Sequence, residues 1–346
     1  MMEDRKSSLL LITELLSKRE IFFKKAAEKL GISVKAVSWR DYRKFYHDIF
    51  ENGDKKPVVK IDSPSYQTAY FDEMNKALDK YLAFLHDMQE SSGVFLNSPD
   101  AIRELLNKKQ CKLRLQERGI STTYMAACDV KSVAELFSIL SEKRLHSVFV
   151  KPIWCSGAAG VVALRMHPHT KKLAAYTSCI IKDNVLINTK KIRYMTDDDK
   201  IKDILREVLK MGAIVERWVP KDDLDGKCYD LRVVCQFERI EYVVVRQSDA
   251  PITNLHLNNQ ALSFEKLPLK KEQRQEIERI CLDAMQQFDG LRMAGIDILI
   301  EKNRKKPYII EMNGQGDLIY QDIYNENRIY GEQVKWMIEK QHGNGE

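Results

Sequence analysis

The chain opens with a short unbroken apolar run, Ser8–Ile12, the pattern of a buried strand. Apolar residues then recur at helical spacing over Arg19–Leu30, and Gly31 follows as a helix stop. Val34–Trp39 and Pro57–Ile61 read as strands, and the latter leads into a polar turn, Asp62-Ser63-Pro64-Ser65. A long amphipathic helix is predicted at about Tyr66–Met88, with Tyr70, Met74, Ala77, Leu78, Tyr81 and Leu85 at helical spacing. This alternation of strands and helices predicts a first α/β unit, residues 1–97. A rival pattern overlaps it. Ala27-x-x-x-Gly31-Ile32-Ser33-x-x-Ala36-Val37 has the rhythm of a helix-turn-helix, which would make the protein a nucleotide-sensing DNA-binding regulator. Arg40 then sits where that motif wants an apolar residue.

Asn97-Ser98-Pro99-Asp100 marks a new helix start, with Ser98 as N-cap and Pro99 at the first helical position. The helix carries Asn107-Lys108-Lys109 and ends near Gly119-Ile120. Then come a helix at Val133–Leu140, a strand at Ser147–Pro152, a small-residue turn (Ser156-Gly157-Ala158-Ala159-Gly160) and a strand at Val161–Arg165. A hairpin at about Ala174–Ile187, a helix capped by Thr196–Asp199 and a strand at Ala213–Glu216 complete a second lobe, 98–218. A third, 219–338, holds strands at Asp230–Cys235 and Tyr242–Arg246, a helix at Lys270–Gln287, and the runs Gly295–Ile300 and Tyr308–Asn313 joined by a basic turn. Residues 339–346 are expected as a disordered tail. There is no internal repeat and no low-complexity tract.

The 346 residues are 44% hydrophobic and 31% charged, which excludes a disordered or fibrous chain. The net charge of +6 suits a phosphate-rich ligand but lacks the concentrated basic stripe of a dedicated nucleic-acid binder. No apolar run is long enough for a membrane span or a signal segment, so a cytoplasmic protein is expected, with no membrane partner. The seven cysteines show no CxxC spacing, so neither a zinc knuckle nor a redox pair is written here, and they are expected as reduced core residues.

The closing strand pair carries the sharpest chemistry. Glu311 and Asn313 lie two apart and share a face; pairing across the basic turn brings Asp297 to the same face. Two carboxylates and an amide oxygen form a hard-donor set suited to Mg²⁺ beside nucleotide phosphates, unless they are simply a solvated sheet face. Lys151, followed by the small-residue turn of Ser156, Gly157, Ala158 and Gly160, suits phosphate, with a point charge and close backbone N–H groups. No GxxxxGK[ST] is present, so this is not a P-loop. Lys108 adds a second cation.

In this order the pieces resemble the ATP-grasp superfamily over about residues 97–335. Asn107-Lys108 stands before Gly119-Ile120 as the family's (Asp/Asn)-Lys helix does before its Gly-(Ile/Val) turn, and Lys151-Pro152 with the loop resembles the second nucleotide lysine and its mobile phosphate flap. Glu216-Arg217-Trp218-Val219 is similar to the hinge strand that holds adenine, Asp222 or Asp223 falls at the ribose acid, and Asp230-Leu231-Arg232 resembles the Asp-Ile-Arg strand. Arg246, then Asn254-Leu255-His256, looks like the branch of glutathione synthetase and the ribosomal-protein glutamate ligases. Around that motif Ile252-Thr253 and Leu257-Asn258-Asn259 replace the branch's arginines and glycines, and Gly314-Gln315-Gly316-Asp317 replaces its closing turn. The substrate pocket has therefore diverged, as in a similar uncharacterised bacterial ATP-grasp group.

The resemblance implies an ATP-grasp fold, a mixed α/β architecture with an N-terminal α/β domain followed by two α+β lobes clasping ATP. It implies an ATP- and Mg²⁺-dependent carboxylate–amine (or carboxylate–thiol) ligase working through an acyl phosphate, with Mn²⁺ as a substitute metal. A kinase on the same scaffold is the alternative. Lys108 and Lys151 would hold the α/β-phosphates, Glu216, Trp218 and Val219 adenine, and Asp297, Glu311 and Asn313 magnesium. Arg232 and Arg246 would face the γ-phosphate or acyl phosphate, with His256 donating to the transferring group or orienting Asn254. The partners expected are a small-molecule or peptide carboxylate and an amine, with a homodimer allowed. Cys155 has no spaced histidine to activate it as a nucleophile.

Overall fold

The computed structural model describes residues 8–51, 56–65, 68–155, 157–253, 260–302, 306–316 and 326–343. The N-terminal unit runs β1 (Ser8–Thr13), α1 (Lys18–Glu28), β2 (Ser33–Ser38), α2 (Tyr42–Tyr46), β3 (Val58–Ile61), α3 (Phe71–Gln89) and β4 (Val94–Phe95). Its sheet is parallel, in the order β2-β1-β3-β4. Such a sheet is covered on both faces, and Leu9, Leu11 and Val58 accordingly face one apolar cluster while Leu10, Ile12, Val59 and Ile61 face another. Residues 33–38, which a helix-turn-helix would need as its second helix, pair with β1 along their whole length. The DNA-binding reading falls with that pairing. Gly31 closes α1 in the left-handed conformation, φ +71°, as its position in the sequence predicts.

Two short helices follow where the sequence pattern reads as one: α4 (Pro99–Leu106) and α5 (Lys108–Glu117). Asn107 ends the first and caps the second, its side chain accepting from Gln110 N at 3.0 Å. Its extended backbone (ψ 95°) turns the chain, so that Lys108 begins a helix instead of lying within one. Ala101, Leu105, Cys111 and Leu115 pack with the C-terminal sheet.

The central lobe comprises β5 (Met125–Val130), α6 (Val133–Glu142), β6 (Ser147–Pro152), β7 (Val162–Met166), β8 (Leu173–Lys182), β9 (Val185–Met195), α7 (Asp198–Lys210) and β10 (Ala213–Arg217). Its sheet order is β5-β10-β6-β7-β8-β9, antiparallel throughout. The β8–β9 turn uses Asp183 and Asn184, both at positive φ, as a two-residue hairpin prefers. One sheet face is packed by α6 and α7 through Leu136, Leu140, Ile204, Leu205 and Val208.

The C-terminal lobe runs β11 (Asp223–Leu224), β12 (Lys227–Gln236), β13 (Arg239–Ser248), β14 (Gln260–Ser263), α8 (Lys271–Met285), β15 (Met293–Ile300) and β16 (Pro307–Asn313). Its sheet order is β14-β13-β12-β15-β16 with β11 on β12, again antiparallel. α8 covers one face over Leu231, Val233, Ile296 and Ile298. The final helix, α9 (Arg328–Gly343), returns to the N-terminal unit, where Ile329, Tyr330, Val334 and Met337 join Leu9 and Phe23 in one core. This corrects the expected tail: residues 339–343 are helical, while 344–346 lie outside the described residues. No helix among the described residues is long and apolar enough to cross a membrane.

Candidate functional site

Strand alternation puts one residue in two on the face opposite α8, and there the C-terminal sheet is polar. Asp230 and Arg232 of β12 share that face; Arg246 of β13 stands opposite Asp230, and Asp297 of β15 opposite Arg232. Glu311 of β16 is the register partner of Asp297, as the expected pairing of the closing runs requires. Charge alternates across this band. Arg232 Nε donates to Asp297 Oδ1 at 2.6 Å, and Arg246 reaches Asp230 at 2.7 Å and Asp297 at 3.2 Å. Lys221 adds a third cation, 3.0 Å from Asp230. Burial alone would push the Asp297 carboxyl up, but Arg232 and Arg246 outweigh it and hold it below its usual range. Arg246 is likewise held well above the ordinary arginine value, since Asp230 and Asp297 overcome its burial.

The second half of the site comes from the central sheet. Phe149 and Lys151 share one face of β6, and Glu216 of β10 stands opposite Phe149. Lys151 Nζ lies 2.9 Å from Glu216 Oε2, which also accepts from Thr123 Oγ1 at 2.7 Å. The other carboxylate oxygen faces Lys112 at 2.8 Å. Glu216 is 1% exposed, and burial pushes its carboxyl up, yet Lys112 and Lys151 bring it down to about 2. Beside it Phe149 meets Trp218 at 5.2 Å between ring centroids, with the Arg165 guanidinium 4.3 Å over the indole. Val161, Ala163 and Ile252, the last from the C-terminal lobe, continue this apolar patch.

Lys108 joins the halves. Its Nζ donates to the carbonyl of Cys155, at the foot of the small-residue turn, and lies 2.8 Å from Glu311. Burial lowers its basicity, but the Glu311 carboxylate raises it above the usual lysine range. Burial raises the Cys155 thiol to about 11, so it stays protonated and a poor nucleophile. Gly157, Ala158 and Gly160 have φ of +65°, +63° and +74°, left-handed conformations that the two glycines adopt without strain.

The structure thus brings Lys151, Glu216, Arg232, Arg246, Asp297 and Glu311 onto two polar sheet faces, with Trp218 just past β10 and Lys108, at the start of α5, linking the two. Asn313 pairs with Gly295, and its Nδ2 points at Gly295 O at 3.5 Å. Val219 is half-buried beyond β10. Asp222 is turned inward, accepting from the Tyr229 hydroxyl at 2.7 Å, whereas Asp223 is nearer solvent and pairs with Lys302 at 2.5 Å. Ser156, Asn254 and His256 lie outside the described residues. Among the described residues no three His, Cys, Asp or Glu side chains converge as a metal cluster. The donor set of Asp297, Glu311 and the Asn313 amide nonetheless fits a hard cation, since all its donors are oxygens. Sequence reasoning missed Lys112, Thr123, Lys221 and Phe149. The one local signal was shared facing: Lys112 stands one helical turn after Lys108 and Phe149 two strand positions before Lys151.

A family model described as YheC/D-like ATP-grasp matches residues 102–338, about two thirds of the chain. Among curated proteins none matches it in sequence. Several solved structures share its fold. D-cycloserine synthetase DcsG aligns at TM-score 0.61 and 12% identity, covering 96% of this chain and 100% of that one. A Chryseobacterium gregarium RiPP-associated ATP-grasp ligase, in complex with ADP and a leader and core peptide, aligns at 0.59 and 13%, covering 96% and 97%. The ADP complex of PurK, N5-carboxyaminoimidazole ribonucleotide synthetase, aligns at 0.65 and 12%, covering 95% and 76%.

Proposed function

The chain belongs to the YheC/D-like ATP-grasp family, and from that premise we propose that it is an ATP- and Mg²⁺-dependent ligase that joins a carboxylate to an amine or thiol. The observation that carries this reading is the Lys108 junction, where one ammonium touches both the base of a small-residue flap and the acid of the metal strand. Phosphoryl transfer needs positioning and charge neutralisation more than covalent help, and this site is built of little else.

In this reading Phe149, Trp218 and the patch around Ala163 sandwich adenine, with Glu216 and the backbone near Val219 at its edge. Lys108 and Lys151 lie on the α/β-phosphates, Gly157–Gly160 cover them, and Asp223 meets the ribose. Asp297, Glu311 and Asn313 would hold Mg²⁺, or Mn²⁺ as a substitute, which when bound would supply charge neutralisation at the phosphates. A substrate carboxylate oxygen attacks the γ-phosphorus and the bond to ADP breaks. The amine then attacks the acyl carbon, releasing phosphate and a proton. Arg232 and Arg246 stabilise the transferring group while Asp230 and Asp297 hold them in place. Asn254 and His256 remain candidates for contacts to that group. Likeness to a small-molecule synthetase and to a peptide-bound ligase supports a carboxylate substrate of either size.

Lys151→Ala and Glu311→Ala are expected to abolish release of ADP and phosphate when metabolite or peptide pools are offered with ATP, each still melting cooperatively, Lys151→Ala at a lower temperature because Glu216 loses a partner; unchanged ADP production in either variant would overturn the site. Phosphate released in step with an adduct marks a ligase, whereas ADP without free phosphate marks a kinase. Chelating divalent metal with EDTA should stop turnover, and added Mg²⁺ should restore it.

A further inference from the structure

Helix α3 is shared between two cores. Tyr81, Phe84, Leu85 and Met88 pack in the N-terminal unit, but Phe71, its first residue, is 3% exposed inside the central lobe beside Ala159, Val162 and Leu186. Met74, on the next turn, packs against the same cluster. The helix start is also stitched to β9. Asn188 N donates to Ala69 O at 2.8 Å, and Tyr70 forms an antiparallel bridge with Ile187.

Phe71 lies against the base of the flap. A Cβ at Gly160 would come within 2.4 Å of Pro152 Cγ and 3.4 Å of Phe71 Cε1, so the Cα of this glycine faces both the residue after Lys151 and a ring from the N-terminal unit. Three of the flap's described residues are in the left-handed region; Gly157 and Gly160 take it freely, so the turn's own preference leaves their placement loose, while Ala158 takes it at a small cost. We propose that Phe71 is a positioning residue of the flap: its ring sets where Gly160 rests, and through it where Gly157–Ala159 stand relative to Lys151. The proposal rests on reading this turn as the cover of the nucleotide phosphates. It gives the N-terminal unit a hold on nucleotide binding through the flap.

The test uses the full chain with Phe71→Ala, Phe71→Leu, and Leu140→Ala, a truncation elsewhere in the same core. Without nucleotide, Phe71→Ala should raise amide hydrogen exchange at residues 157–161 by about tenfold or more, Phe71→Leu should raise it less, and Leu140→Ala should lower the melting temperature without that local change. Calorimetry with MgATP should show affinity weakened about tenfold by Phe71→Ala and largely restored in Phe71→Leu. Exchange at 157–161 that matches the unaltered protein, or that rises no more than in Leu140→Ala, overturns the proposal. If Phe71→Ala does not fold, Phe71→Leu against Leu140→Ala decides by the same readings. Should the unaltered protein bind no MgATP, the nucleotide reading fails alone, while the exchange measurement still decides the flap contact.

Discussion

Glu216 shows how much of this site is decided by single buried groups. A carboxylate taken from water with two ammoniums and a hydroxyl around it is stable only as a set. Removing Lys112 leaves Lys151 as its only cation, so Lys112→Met should cost about 3 kcal/mol in urea unfolding. The depressed acidity sets a pH signature. A carboxyl at about 2 when folded and about 4.3 when unfolded contributes stability above the latter value, and loses it as pH falls through the former. The urea midpoint should therefore drop on acidification across that window, and Glu216→Gln, less stable at neutral pH, should show a flatter profile there. An unchanged slope in the variant would mean that Glu216 is not the titrating group. The two lysines also show the limit of residue patterns: a helical lysine is ordinarily solvated, and only the approach of β10 to α5 makes Lys112 a buried partner.

At the scale of elements, glycines separate close approach from mere permissiveness. A Cβ at Gly316, just past β16, would lie 2.4 Å from the backbone N of Gly295 on β15, so Gly316→Ala must push the turn off the sheet. That overpacking should cost about 1–3 kcal/mol and weaken MgATP binding, because the displaced turn follows Asn313 directly. A Cβ added at Gly331, inside α9, would meet nothing within 4 Å. Gly331→Ala should stabilise the protein by about 0.5–1 kcal/mol, and thermal melts of the pair would show opposite signs. Element boundaries follow their local signals where caps are explicit: Ser98 accepts from Ala101 N at 3.1 Å, and Asp197 from Lys200 N at 3.2 Å. They fail at Asn107, where a polar residue between two amphipathic runs reads as helix interior; both neighbouring runs bury their apolar residues, and their periodicity alone does not show the break.

Across the whole molecule, the lobes are tied by residues distant in sequence. Gln315 Nε2, beyond the metal strand, donates to Ile61 O at 3.0 Å and the Tyr81 hydroxyl at 2.6 Å, joining the C-terminal lobe to the end of β3. Asn97 Oδ1 accepts from Arg292 N and Met293 N, anchoring the linker before α4 to β15. α9 closes the N-terminal core, and each of its fully buried side chains contributes about 1.5–3 kcal/mol. A chain ending at residue 327 should accordingly expose Leu9, Phe23 and Val58, bind an apolar dye such as ANS and lose its cooperative melt. A truncated chain that melts like the full one would show that α9 is dispensable.

Much local order was written in the chain: apolar runs gave most of the strands, 3.6-residue spacing most of the helices, and the two-residue offset of Glu311 and Asn313 the polar face of β16, because such periodicities depend only on near neighbours; β5, β14 and α9 carried no such reading. The register placing Asp297 opposite Glu311 followed from the short connection between their strands. What the sequence left open was every contact between distant segments. The seating of Phe71 in the central lobe, the Lys112–Glu216 pair and the return of α9 to β1 and β3 were decided by tertiary structure, since burial and charge pairing depend on which surfaces meet in space, and no local pattern encodes that meeting.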